Sequence, residues 1–145
     1  MSTIHSILLR PERKAAPRLV TEATIRKTGI EGDHHFKPVS KRTVTLVSNK
    51  ALAEVAAIVG FPGNAHEASR RNICLDALPE ENMIGKKIAL GDEVVLEVTC
   101  YCAPCRRMDE NFGNGAMEAM HEKAGWGAIV LQEGRVKQGD TFSVL

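Results

Sequence analysis

The chain of 145 residues has no long apolar run. The longest near its start is Ile7-Leu8-Leu9, far short of a signal-peptide core or of the roughly 20 apolar residues that span a bilayer. No membrane association is expected, and without an export signal the expected location is cytoplasmic. An excess of either charge is also lacking: 19 Lys and Arg face 18 Asp and Glu, for a formal net charge of +1. That balance argues against a general nucleic-acid binder, which carries a domain-wide basic surplus. The cysteines do not form a stapling framework either. Cys100, Cys102 and Cys105 fall so close together that linking them closes only short loops, which stabilises little. With Cys74 they read as reduced thiols, and clustered thiols inside a cell point to metal binding or thiol chemistry. Linkers, low-complexity tracts and long repeats are absent, so the length predicts one domain over residues 1–145.

The patterning that is present reads as short strands. Thr3 to Leu9 forms a strand stopped by Pro11, and Arg18 to Lys27 is Thr-rich and extended. The stretch Gly29 to His35 holds two glycines and an aspartate and marks a loop. Arg42 to Val47 alternates, and a helix follows it, capped by Ser48 or Asn49. Its apolar positions Leu52, Val55, Ala56 and Val59 repeat with helical spacing, and Gly60 and Pro62 end it. Further strands are Arg71–Leu75, Lys86–Leu90, Glu93–Thr99, Ala128–Leu131, Arg135–Gln138 and Thr141–Leu145. Gly91-Asp92 and Gly139-Asp140 supply turns. A second, short helix is expected around Ala116 to Lys123. Strands do not alternate with helices, so a doubly wound parallel sheet is excluded in favour of a mainly β, barrel-like domain with one or two short helices.

Four constellations could carry chemistry. The first is Cys100-Tyr101-Cys102-Ala103-Pro104-Cys105-Arg106-Arg107, at a strand end. A thiol acts as nucleophile or metal ligand in its thiolate form, and neighbouring cations favour that form. One cysteine here would read as a small buried residue; three thiols, a proline and two arginines in eight residues favour a functional site. Cys74, inside an apolar strand, reads as core. The second is Arg70-Arg71-Asn72-Ile73, whose arginines are able to fork onto a phosphate or carboxylate, although solvated charges at a strand end are the commoner explanation of such a pair. The third is the Gly29–His35 loop, with Asp33, His34 and His35 as polar donors; the plainer reading is an aspartate that caps its own loop. The fourth is Gly125-Trp126-Gly127, where the only tryptophan either walls a pocket or covers the end of the core. His5, His66 and His121 show no local pattern.

Taken in order, these pieces resemble the MOSC domain family, named for the C-terminal domain of molybdenum cofactor sulfurase. The resemblance rests on the Gly-Ile-Glu-Gly-Asp-x-His loop at Gly29–His35, Arg-Arg-Asn-Ile at Arg70–Ile73, and the Gly85–Asp92 stretch. It continues through Pro104-Cys105 and the closing segments Gly125–Leu131 and Gly134–Asp140. It covers the chain from about Thr24 to Leu145. It implies a MOSC-type β-barrel-like domain that binds molybdenum cofactor (molybdopterin) or carries sulfur. Cys105 would be the catalytic thiol, ligating molybdenum or bearing a persulfide. Arg70, Arg71, Asn72, Asp33 and His35 would bind the cofactor. The resemblance is compatible with a component of a molybdenum-dependent reductase or of cofactor sulfuration. A cysteine desulfurase or redox protein is the expected partner, and no pyridoxal phosphate is expected within the chain.

Two other readings stand beside it. In one, Cys100, Cys102 and Cys105 join His34 or His35 in a zinc- or thiol-binding module, with Cys102 a metal ligand. In the other, a non-catalytic domain presents this fold to a partner protein.

Overall fold

The computed structural model describes residues 2–11, 16–34 and 42–145. Its strands are β1 (Ser2–Leu9), β2 (Arg18–Val20), β3 (Glu22–Arg26), β4 (Gly29–Ile30), β5 (Val44–Ser48), β6 (Ile73–Leu75), β7 (Lys87–Leu90), β8 (Val94–Tyr101), β9 (Trp126–Gln132), β10 (Gly134–Lys137) and β11 (Thr141–Val144). The helices are α1 (Asn49–Val59), α2 (Ala65–Ser69), α3 (Arg106–Phe112) and α4 (Ala116–Ala119). No helix among the described residues is long and apolar enough to cross a membrane.

The strands close on themselves. Their order is β11-β7-β8-β9-β5-β6-β1, and β11 pairs again with β1, giving a barrel of 7 strands. β1 manages this with one edge on β6 and the other shared, Ser2 and Thr3 pairing with β11 and Ile7 to Leu9 with β2. Closure removes the open edges that make a flat sheet prone to association. A smaller sheet, β10-β3-β4, completes the architecture. The barrel expectation therefore holds, with four helices among the described residues rather than one or two.

Alternation sorts the side chains into two cores. Leu46, Ile73, Leu75, Ile88, Leu90, Leu96 and Val98 fill the barrel interior. Val47 and Cys74 sit one residue out of phase with those neighbours and face the other side, where Leu52 and Val55 of α1, Met108 and Phe112 of α3, and Ala116 pack against them. Each such Leu, Ile or Phe contributes about 1.5–3 kcal/mol on burial. The outer helices are therefore held by packing, since α2 and α4 are too short to persist alone.

α1 begins where its sequence predicts. The Ser48 hydroxyl accepts from the Ala51 amide at 3.2 Å, and Gly60 closes the helix in the left-handed region. The Arg18–Lys27 stretch splits at Thr21 into β2 and β3, which serve different sheets. β8 runs further than the pattern suggests and takes in Cys100 and Tyr101.

A register shift in β8 matters most for the site. Val98 pairs with Ala128, but Cys100 pairs with Gly127, leaving Thr99 as an extra residue. Such a bulge reverses the alternation of everything beyond it. Leu96 and Val98 point into the barrel. After the bulge it is Tyr101 that meets Trp126, ring centroids 5.4 Å apart, while Cys100 turns to the other side, its sulfur over Gly127.

Candidate functional site

The site is built on the outer wall, where the end of β8, the start of α3 and the start of β6 come together. Gly127 makes room for it. A Cβ at that position would lie 2.5 Å from Cγ of Arg42 and 2.7 Å from Sγ of Cys100, so the arginine stem and the sulfur pack directly over the glycine backbone. Gly125 is needed for another reason: with φ of +99°, a Cβ there would stand 2.0 Å from the Leu46 carbonyl oxygen. This close passage of the 124–125 backbone over β5 brings the Ala124 carbonyl to Arg71, whose Nε donates to it at 2.9 Å.

The three clustered thiols differ in environment. Cys105 is exposed and begins α3 without a side-chain cap. Cys102 is fully buried, its amide donating to the Gly125 carbonyl at 2.9 Å. Burial raises the Cys102 thiol above the usual range, and the Arg71 and Arg42 guanidiniums pull the other way, Arg42 also by a hydrogen bond. Cys100 is half-buried, and Cys74 is buried in the outer core with its thiol pushed up to about 12 by desolvation. All four are free thiols.

Around them stands a set of arginines from distant parts of the chain. Arg71 is only 8% exposed, and burial lowers it below the ordinary arginine range. Cys102 and Cys105 act on it as favourable charges, while Arg42 and Arg10 oppose. Arg70 is lowered by burial first, then by the like charges of Arg10 and Arg107, with Asp33 offsetting them. Arg107 follows Cys105 in sequence and Arg70 precedes β6, so two separate motifs converge. The expectation that the pair would be solvated charges at a strand end is corrected: Arg71 is buried and Arg70 half-buried.

The backbone at Arg70 is unusual. With φ of 57° it lies in the left-handed region, although it is not glycine. Such a conformation costs on the order of 1–3 kcal/mol and persists where neighbours over-determine it. Here they do. The Arg70 amide donates to the Glu67 carbonyl at 3.2 Å, and Nη1 of Arg10 donates to the Arg70 carbonyl at 3.0 Å. The next carbonyl, of Arg71, accepts from Nε2 of His66 at 2.7 Å. Because a carbonyl only accepts, Nε2 carries the proton, and Nδ1 of His66 accepts from the Ser6 hydroxyl at 2.6 Å. Desolvation lowers this imidazole to about 4, so it is neutral at physiological pH.

Asp33 and Asn72 sit in the supporting network. Both oxygens of Asp33 take the Arg10 guanidinium, at 3.1 and 2.9 Å, and Oδ1 also accepts the Arg10 amide at 2.8 Å. Asn72 is fully buried. Its Oδ1 accepts from the Thr45 amide and hydroxyl, both at 3.1 Å, and from Arg10 at 3.3 Å, while Nδ2 donates to the Leu8 carbonyl. Both residues thus hold the elements that carry Arg70 and Arg71. His34 donates from Nδ1 to the Arg10 carbonyl at 3.0 Å. His35 lies outside the described residues. Among those residues no three His, Cys, Asp or Glu side chains are grouped to hold a metal ion.

Open space borders Arg70 and Pro104, with no cysteine in its lining. A cleft of about 460 Å³ borders Arg70 between α2 and α3, with Asn64, Glu67, Glu110 and Asn111 in its walls. Another, of about 490 Å³, borders Pro104 with Asp109, Met117 and Glu118. A third, of about 390 Å³, lies apart, with none of these cysteines or arginines in its lining; Trp126 and Leu78 form part of its wall and pack on the barrel core. The tryptophan therefore both covers the core and lines a pocket. Arg10, Arg42 and His66 carry no motif in the sequence, and only their spatial neighbours reveal them.

The MOSC domain family matches residues 31–143. The chain belongs to that family. Solved structures share the MOSC fold seen here. The YuaD protein from Bacillus subtilis superposes with a TM-score of 0.87 at 18% identity, over 99% of this chain and 96% of that one. YiiM from Geobacillus stearothermophilus gives 0.77 at 17% identity, over 100% of this chain and 75% of its own. YiiM from Escherichia coli gives 0.71 at 20%, over 100% and 70%. No curated protein matches the chain.

Proposed function

We propose that this MOSC domain handles molybdenum cofactor through Cys105, whose thiolate either ligates the metal or carries the sulfur that the cofactor receives. The observation that supports this most is the exposed Cys105 thiol within electrostatic reach of the buried Arg71 guanidinium, with Arg70, next to Arg71 in the chain, under the charge of Arg107. The donor set fits the group. Thiolate suits a soft-leaning metal centre and is also the form that bears a persulfide. Arg70, Arg71 and Arg107 supply forked donors for a pterin phosphate, in partly desolvated surroundings where a charge-assisted bond is stronger than in water. Bound there, the cofactor would supply the redox or sulfur-accepting centre. The protein's own part is to hold the anion and keep Cys105 accessible.

Asp33 and Asn72 contribute by fixing Arg10 and the β6 entrance. Sulfur or electrons come from a separate protein, a cysteine desulfurase or a redox partner, in the reducing cytoplasm. Native mass spectrometry on protein expressed with molybdate, alongside Cys105→Ser, tests the reading. A pterin mass or a sulfur adduct that disappears in Cys105→Ser is the expected result. One stoichiometric zinc, with neither adduct, would replace it with the zinc-module reading.

A further inference from the structure

The cluster holds a second thiol, Cys102, to which a single-cysteine role for Cys105 gives no chemistry. Cys102 is three residues before Cys105, just past the bulge at Thr99, where Arg71 and Arg42 act on it. Arg71 lies within electrostatic reach of both Cys102 and Cys105, so one fixed cation serves whichever sulfur is ionised. The link between them is irregular from Cys102 to Cys105, and α3 starts on Cys105 without a side-chain cap. In that first turn the Met108 amide donates to the Cys105 carbonyl at 2.9 Å. The corner can therefore open at small cost, and a Cys-x-x-Cys spacing is one that disulfides span.

Resting on the sulfur-carrying form of the proposed function, we infer that Cys102 is the resolving thiol that releases the sulfur of Cys105 as sulfide. The Cys102 thiolate attacks Sγ of a Cys105 persulfide. The bond between Sγ and the outer sulfur breaks, a Cys102–Cys105 disulfide forms, and the outer sulfur leaves with both bonding electrons as hydrosulfide. The proton lost by Cys102 balances the charge. The sulfane sulfur is reduced by two electrons, and the two thiols are oxidised to the disulfide. A dithiol reductant returns the disulfide to two thiols for the next cycle. This division of labour matches one exposed and one buried thiol: Cys105 is open to a sulfur donor, whereas Cys102 is shielded from it and meets only sulfur already bound to its neighbour.

The test loads purified protein with a low-molecular-weight persulfide, removes the excess, and follows trapped sulfide and intact mass without added thiol. Wild type should lose the added sulfur as sulfide and acquire a Cys102–Cys105 link in its peptide map. Cys102→Ser should keep the sulfur on Cys105 and release it only when a dithiol is added; Cys102→Ala serves if the serine hydroxyl disturbs the buried site. Thermal melts identify any variant that has not folded. Release from a folded Cys102 variant at the wild-type rate, or a link that joins Cys100 instead, overturns the inference while leaving Cys105 as carrier. If wild-type Cys105 takes up no sulfur at all, the sulfur-carrying reading itself falls.

Discussion

His66 joins the stability of this protein to pH in a way its sequence does not disclose. Its ring is buried against Ser6 and the Arg71 carbonyl, and desolvation lowers it from 6.5 to about 4, with His5 adding repulsion and the Arg71 and Asn72 backbone opposing. Between those two values the unfolded chain binds a proton that the folded protein refuses. Stability is thus complete above the unfolded value and is lost as pH falls from 6.5 towards 4. At about 1.36 kcal/mol per pH unit, full protonation costs about 3 kcal/mol, and about 2 kcal/mol of it is already lost by pH 5. Working between pH 7 and 5 keeps most carboxylates ionised, so this imidazole dominates the difference. For a domain of this size the melting midpoint should fall by roughly 4–8 °C across that interval. His66→Gln retains a donor for the Arg71 carbonyl and an acceptor for Ser6 without a titrating group. Urea denaturation of both proteins at pH 7 and pH 5 decides the matter. The variant should show a nearly flat response; an equal loss in both would refute the reasoning.

Other consequences follow from the same geometry. Asp33→Ala leaves the Arg10 guanidinium buried without its carboxylate and should cost about 3–5 kcal/mol in chemical denaturation, as befits a structural ion pair. Gly127→Ala drives a methyl into the Arg42 stem and Cys100, so titration calorimetry should show weakened binding of inorganic phosphate at the arginine cluster. Unchanged affinity would mean that Arg42 takes no part. Gly125→Ala, with its methyl against the Leu46 carbonyl, should cost about 3 kcal/mol or more and be visible as a lowered urea midpoint. Alkylation followed by peptide mapping should label Cys105 first and Cys74 last, since Cys105 is exposed and burial holds Cys74 protonated; early labelling of Cys74 would contradict the site.

Much of the strand pattern could be read directly, because alternation and turn glycines are local signals. β1, β5, β7 and β9 to β11 fall close to their expected places, and α1 does so with its cap. The helix α2 escapes notice because five residues leave no periodicity to detect, and α3 because its polar first turn follows directly on the cysteines. The paired arginines were legible as a motif, but not their burial. Buried Arg71 is partnered by the Ala124 carbonyl, brought over β5 by a glycine whose close passage no one-dimensional pattern displays.

The sequence by itself determined a barrel-like fold and the MOSC resemblance, and it singled out Cys105 as the candidate thiol, since each rests on residues near one another in the chain. Only the tertiary structure decided which groups surround that thiol. Arg71 acts on both Cys105 and Cys102, Arg42 on Cys102, and Arg10 and Arg107 on Arg70; these arginines come from separate segments, and their convergence is set by barrel closure and helix packing. The bulge at Thr99 decided that Cys100 lies over Gly127 and Tyr101 meets Trp126, because one extra residue in a strand reverses every side chain beyond it.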